Sequence, residues 1–191
     1  NKPAEGAILY STKKCSKEIG YITSAMWSPS VKANIAKYNP NAVVFEGLSP
    51  VEIENADAVK GKRALVIEDG PTTTHGGMGY GAGFVAAERA GAGEIVDPRA
   101  FVTGEIAAAF AKYPHVKAIL PALGYGEQQL ADLKASIDAV DADVVVIGTP
   151  IDLSRVLEIS KPFVRVTYGF AEKDGDGLAA MIRDRFAKVA S

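Results

Sequence analysis

From residue 42 onward, short β-rich runs alternate with alanine-rich stretches, and this alternation constrains the fold more than any other feature of the chain. AVVFEG (42–47), RALVIED (63–69), GEIVDP (93–98), KAILPALG (117–124), DVVVIGTP (143–150) and PFVRVTYGF (162–170) read as strands. Several are apolar on both faces, as parallel strands covered by helices must be. GAGFVAAERAG (81–91), TGEIAAAFAKY (103–113), EQQLADLKASIDAV (127–140), IDLSRVLEIS (151–160) and GLAAMIRDRFAKVAS (177–191) read as helices. Strand–helix–strand repetition with short connections predicts right-handed crossovers. The expected fold is α/β: a doubly wound, mostly parallel sheet with helices on both faces, a Rossmann-like three-layer sandwich over residues 42–191. Residues 1–41 form a less defined N-terminal segment. AILYS (7–11) reads as a strand and SVKANIAKYNP (30–40) as a short helix ended by Asn39-Pro40. TKKCSKEIGYITSAMWSP (12–29) has no firm period and reads as a loop, a hairpin or an arm to another subunit.

In such sheets ligands lie beyond the carboxyl ends of the strands. The loops at that edge are 69–80, 97–103, 122–127 and 148–152. The densest chemistry is EDGPTTTHGGMGYGAG (68–83), with six glycines, three consecutive threonines and one of the chain's two histidines. Glycine lets a ligand approach backbone N–H groups, and amides at a helix start favour an anion. The expected ligand-facing set is Thr72, Thr73, Thr74, Gly76, Gly77, Tyr80 and Gly81, with His75 as donor, acid or base and Asp69 as a candidate Mg²⁺ ligand. The competing reading is a threonine-capped glycine turn whose Asp69 is satisfied by local amides. In the second loop Arg99 can clamp a phosphate or carboxylate, or pair with Asp97. Tyr125 and Gly126 in the third loop, and Thr149 and Asp152 in the fourth, extend the candidate set; capping accounts for Asp152 equally well, and an ordinary capped helix for Gln128 and Gln129. His115, between a proline and a strand, reads as structural. Cys15 lies near Lys13, Lys14 and Lys17, which can lower its pKa, but no histidine is near it in sequence. Tyr21 and Trp27 read as packing or interface residues.

Named nucleotide motifs fit poorly. Gly77, Gly79 and Gly81 to Gly83 overlay only loosely on G-x-G-x-x-G, with Asp97 at roughly the spacing of a ribose-binding acid. GxxxxGK[ST] occurs nowhere; after Gly61-Lys62 stands Arg63 where Ser or Thr is required. A net charge of −2 leaves no basic field for nucleic acid. The single cysteine excludes an internal disulfide and any CxxC zinc pattern, which with the absence of a long apolar run predicts a cytoplasmic protein that does not enter a membrane. The first residue is Asn1 rather than Met, so a fragment or processed product is expected.

The strings KGKRALVIEDGPTTTHGGMGYGAGFVAAERAGAGEIVDPR, KYPHVKAILPALGYGEQQLADLKASIDA and VVIGTPIDLSRVLEISKPFVRVTY resemble the C-terminal region of the cyclic 2,3-diphosphoglycerate synthetase-like proteins, also known as predicted GTPases. The similarity runs over roughly residues 31 to 170, and DGPTxTHGGMxYGAG and IGTPIDL are its most distinctive strings. The resemblance implies a phosphoryl-transfer ligase in which a P-loop domain, upstream of the region seen here, binds ATP or GTP. In the resemblance an NKxD string ends that domain: either Asn1-Lys2-Pro3-Ala4 is its remnant, with Ala4 in place of the base-reading Asp, or YSTKK (10–14) occupies that place and the string is lost. The resemblance carries over Asp69 to Gly83 and Gly148 to Asp152 as one expected pocket.

Three functions follow as expectations. The first is the phosphorylated- or carboxylate-ligand-binding domain of such a ligase, with His75, Asp69 and Arg99 as its chemical groups and no activity expected of the chain alone. The second is a non-catalytic anion-binding or oligomerisation module. The third is an NAD(P)-binding Rossmann enzyme, resting on the loose glycine spacing. The expected partners are a small ligand, a P-loop domain and a further copy of the chain.

Overall fold

A computed structural model describes residues 7–12, 20–22, 35–75, 77–173 and 175–187, and for 7–12 and 20–22 the backbone only. In chain order these form β1 (Ala7–Thr12), β2 (Gly20–Ile22), β3 (Ala42–Leu48), β4 (Val51–Ile53), β5 (Arg63–Asp69), α1 (Gly70–Thr74), α2 (Ala82–Arg89), β6 (Glu94–Ile95), α3 (Gly104–Lys112), β7 (Leu120–Ala122), α4 (Glu127–Ala139), β8 (Val144–Ile147), β9 (Phe163–Tyr168), β10 (Ala171–Glu172) and α5 (Gly177–Ala187). They fall into two compact units: the described residues up to Pro50 together with those from Tyr168 onward, and Val51–Thr167.

The Val51–Thr167 unit holds the parallel sheet, in the order β4-β9-β8-β5, with β6 and β7 sharing the other edge of β5. β5 is parallel to β8, with Ile67 opposite Ile147, and parallel to β6 and β7. Its interior residues are all buried, which is why RALVIED shows no alternation. Leu65 and Ile67 pack with Ile106 of α3 and with Leu133 and Ile137 of α4. Ala64 and Val66 point the other way, onto Ala86 and Ala87 of α2. Helices therefore cover both faces, and the mostly parallel α/β sandwich expected from the sequence is the fold observed.

Several elements are shorter than the sequence suggests, each for a physical reason. β6 pairs only with Arg63 and Ala64, and β7 only with Ile67 to Asp69. Two strands share one edge of β5, so neither extends along it. The helix expected over 151–160 is a single 3₁₀ turn, Leu153–Arg155. There the Ser154 hydroxyl donates to the Asp152 carboxylate at 2.6 Å, the kind of local bond that competes with helix formation. Leu153 and Leu157 nonetheless reach the core.

The strand at 42–48 does not join the parallel sheet. In its own unit β3 pairs antiparallel with β1 and with β10, and β1 pairs antiparallel with β2. Residues 35–38 are helical and end at Asn39, whose N–H reaches the Ile35 carbonyl at 2.8 Å. α5 is opened by Glu172, which accepts from the Leu178 and Ala179 amides at 2.7 and 3.0 Å. Cys15, Trp27 and the side chain of Tyr21 lie outside the described residues.

Candidate functional site

The chain runs from β5 to β6 and β7 on one side of that strand and returns to β8 on the other. Strand order therefore reverses at β5, and in open α/β sheets the crevice beyond such a reversal is where ligands bind. The segment leaving β5 there is the threonine- and glycine-rich one.

Its first residues form a helix rather than an open loop. Asp69 caps α1, accepting from the Thr72 amide at 3.1 Å and the Thr72 hydroxyl at 2.6 Å, and Pro71 sits in the first turn, where its missing N–H costs nothing. Thr73 and Thr74 are buried, and their hydroxyls donate to the Gly70 carbonyl at 3.1 and 2.7 Å. Gly70 is required by close packing: a Cβ there would lie 2.3 Å from the Ala122 carbonyl oxygen. His75 follows, with Nδ1 3.1 Å from the Thr74 hydroxyl and Nε2 3.2 Å from the Tyr113 hydroxyl. His115 supports the segment from below, its Nε2–H donating to the Thr73 carbonyl at 2.8 Å, so it is the structural histidine the sequence suggests.

Thr74 and His75 border a cleft of about 330 Å³ between α1 and α3. Glu105, Ala108, Ala109 and Lys112 of α3 form one wall, and Tyr113, Leu123 and Gln129 close it. Glu105 and Lys112 are seven residues apart on one helix face, so their charges are set about 10 Å apart along the cleft with an alanine floor between them. At the acidic end the Gln129 amide donates to Glu105 at 2.9 Å, while its oxygen accepts from the Gly126 amide at 3.3 Å. Gly124 makes room for this, since a Cβ there would lie 2.0 Å from the Gln129 oxygen. The cleft thus has a carboxylate and an amide at one end, an ammonium, an imidazole and a phenol at the other, and an apolar middle.

Around α2 the amides already have an acceptor within the chain. Glu68, the last residue of β5 to face α2, is 2% exposed and accepts from the Gly81 and Phe84 amides at 3.1 and 2.8 Å. Its carboxyl group is walled by glycine: a Cβ on Gly81 would come within 2.5 Å of it, on Gly148 within 2.7 Å and on Gly83 within 3.2 Å. Burial pushes Glu68 up to about 8, against the pull of its amide donors, and the charge on Asp69 adds to the rise. Glycines that suggest a phosphate cradle in the sequence here enclose the protein's own carboxyl group.

The remaining sequence candidates are placed as follows. Tyr80 packs on Phe84 with ring centroids 4.8 Å apart and lies beneath the Lys117 ammonium. Gly77 has φ +69°, a left-handed turn with open space around it. Gly76 lies outside the described residues. Arg99 donates through Nε to both Asp97 oxygens at 2.9 Å and through Nη2 to one of them, which holds the Asp97 carboxyl below its ordinary range. Thr149 is buried and donates to the Ile151 carbonyl at 2.9 Å. Asp152, held low first by the Ser154 hydroxyl, lies 3.5 Å from Arg165. Tyr125 and Gly126 open α4 outside the cleft wall. The structure therefore gathers Thr74 and His75 at the cleft and leaves Arg99, Thr149 and Asp152 in local pairs. Glu68, Glu105, Lys112 and Tyr113 were missed in the sequence, while Gln129, read there as either a neutral hydrogen-bonding group or part of an ordinary capped helix, lines the cleft. Glu105 and Lys112 do share a face at i and i+7, but nothing local says which side of α3 meets α1.

Comparison with known proteins gives one informative likeness. The chain is 53% identical over 142 residues to a protein named Arginine synthetase ArcE from Thermococcus kodakarensis (strain ATCC BAA-918 / JCM 12380 / KOD1), an alignment covering 74% of this chain and 32% of that protein. The chain thus spans about a third of the length of that relative. No protein-family model matches the chain, and no solved structure matches it.

Proposed function

We propose that the chain is a substrate-binding domain of an arginine synthetase-type ligase of the cyclic 2,3-diphosphoglycerate synthetase-like family, and that its cleft takes an α-amino acid with a guanidino or ureido end. The observation that carries this reading is the 53% identity to a protein named for arginine synthesis. The polarity of the cleft supports it independently. Lys112 and the His75–Tyr113 pair suit an α-carboxylate, Glu105 with the Gln129 amide suits a planar NH-bearing group, and Ala108 and Ala109 suit the methylenes between. An extended three-methylene side chain with its hydrogen bonds spans the separation of the two charges. Such a ligand departs from the phosphorylated one that the glycine pattern suggests, since the glycine cradle already holds Glu68.

In a synthetase the nucleotide activates one substrate for attack by another, and positioning supplies much of the acceleration. The chain contains no Walker A sequence, so in this reading nucleotide is held by residues outside it. Among the described residues no three His, Cys, Asp or Glu side chains cluster as a metal site. Asp69 is committed to the α1 cap, one of its oxygens accepting from the Thr72 amide and hydroxyl, and it does not line the cleft, so no step is routed through Mg²⁺ at this residue. His75 would hold or release a proton at Nε2 through the Tyr113 hydroxyl.

Calorimetric titration with L-arginine, L-citrulline and inorganic phosphate, each with and without Mg²⁺ and ATP, tests the reading. Arginine or citrulline binding that weakens about tenfold in Lys112→Ala and in Glu105→Gln is the expected result, the usual size of a lost charge-assisted bond. Saturable binding of phosphate with indifference to both amino acids would overturn it in favour of an anion-binding module.

A further inference from the structure

The two most distinctive strings in the chain, 69–83 and 147–153, meet at the side chain just before the first of them, Glu68, which neither the cleft nor the reaction uses. Glu68 sits at the end of β5 with its carboxyl group between Gly81 and Gly83 of one string and Gly148 of the other. It spans 13 residues to the Gly81 amide and 16 to the Phe84 amide. Between these anchor points runs the segment that carries α1, Thr74 and His75 to the cleft wall.

We infer that Glu68 is a positioning residue: its carboxyl group clips the end of β5 to the start of α2, closes the α2 amides to any outside anion, and so fixes α1 and the adjoining His75, which faces substrate. Side chains on this strand alternate, so Asp69 points away from Glu68 and caps α1 instead. The two neighbouring acids divide the work, Asp69 fixing the segment's entry and Glu68 its exit. Burial of a carboxyl group costs free energy, and such groups persist where geometry depends on them. Among the described residues the groups around the carboxyl are amides and glycines of α2 and the residue after β8; the charged group acting on it is Asp69 of its own strand.

The clip itself stands on the structure alone; its link to substrate rests on the function proposed above, and the test separates the two. Amide hydrogen exchange is compared for the wild-type chain, Glu68→Ala and Glu68→Gln. In Glu68→Ala, exchange at Gly81 and Phe84 is expected to rise about tenfold while residues 65–67 and 145–147 are unchanged, and L-arginine affinity falls. Glu68→Gln, whose side-chain oxygen still accepts from both amides, keeps exchange and affinity near wild type. Loss of amide protection in Glu68→Ala with no arginine binding in any of the three proteins would leave the clip standing and remove the proposed substrate. Exchange at Gly81 and Phe84 that is unchanged in Glu68→Ala, or raised as much in Glu68→Gln, would overturn the inference.

Discussion

At the scale of single residues, what a glycine faces decides its importance. Gly148 must pass between the Gly83 amide nitrogen and the Glu68 carboxyl group, whereas Gly77 turns through positive φ into open space. Gly148→Ala should therefore destabilise by roughly 2–3 kcal/mol through overpacking, and Gly77→Ala by about 1 kcal/mol through backbone strain alone. Urea denaturation of both variants checks this ordering, and equal losses would refute it. Glu68 also has a signed effect on stability. Its folded value is raised from 4.5 to about 8, so between those limits the folded state keeps a proton that the unfolded chain releases. The stability it contributes is fully present below pH 4.5 and is lost as pH rises through about 8, a change on the order of a few kcal/mol. Glu68→Gln should flatten that part of the stability-against-pH curve. None of this was legible in the sequence, where Glu68 is one more acid at a strand end and its glycine partner Gly148 is 80 residues away.

At the scale of elements, α1 is the clearest case of local chemistry acting on the site. It has five residues, too few to persist without its cap, and Asp69 supplies that cap. Substitution separates the cap from any charge-dependent role. Asp69→Ala should cost about 1 kcal/mol of stability, while Asp69→Asn keeps the cap and costs little. As the cap, Asp69→Asn should keep both its melting temperature and any Mg²⁺ dependence of activity; loss of Mg²⁺ dependence at an unchanged melting temperature would contradict a purely capping role. The sequence indicated the strand, the threonines and the role of Asp69 in the alternative capped turn. It also suggested the Asp97–Arg99 pair as an alternative to a phosphate clamp, and the pair is what forms. The alternation of strands and helices was legible because each parallel strand, buried on both faces, writes its apolar run into the chain. Residues 151–160 misled, since their apolar spacing serves Leu153 and Leu157 in the core without a helix between them. The strand at 42–48 misled differently: its composition suits a strand, but composition does not name its partners.

At the scale of the whole molecule, the Val51–Thr167 unit contains the cleft and the Glu68 clip, and the chain spans about a third of the relative it resembles. Among the described residues no helix is long and apolar enough to cross a membrane. In the proposed reading the chain positions one substrate and other residues bring the nucleotide, so ATP hydrolysis by the chain alone should be absent, and Lys112→Ala in the full-length protein should raise KM for the amino acid more than it lowers kcat. The cleft is the part of this account the sequence could least supply, because its walls come from α1, α3, the residue after β7 and α4, brought together only by the crossover order. The most direct test is amide chemical-shift mapping of the chain during titration with L-arginine. The account predicts saturable shifts at His75, Ala108, Ala109, Lys112 and Gln129, abolished in Lys112→Ala. Shifts absent from these residues and concentrated instead at Arg99, Thr149 and Asp152 would contradict it.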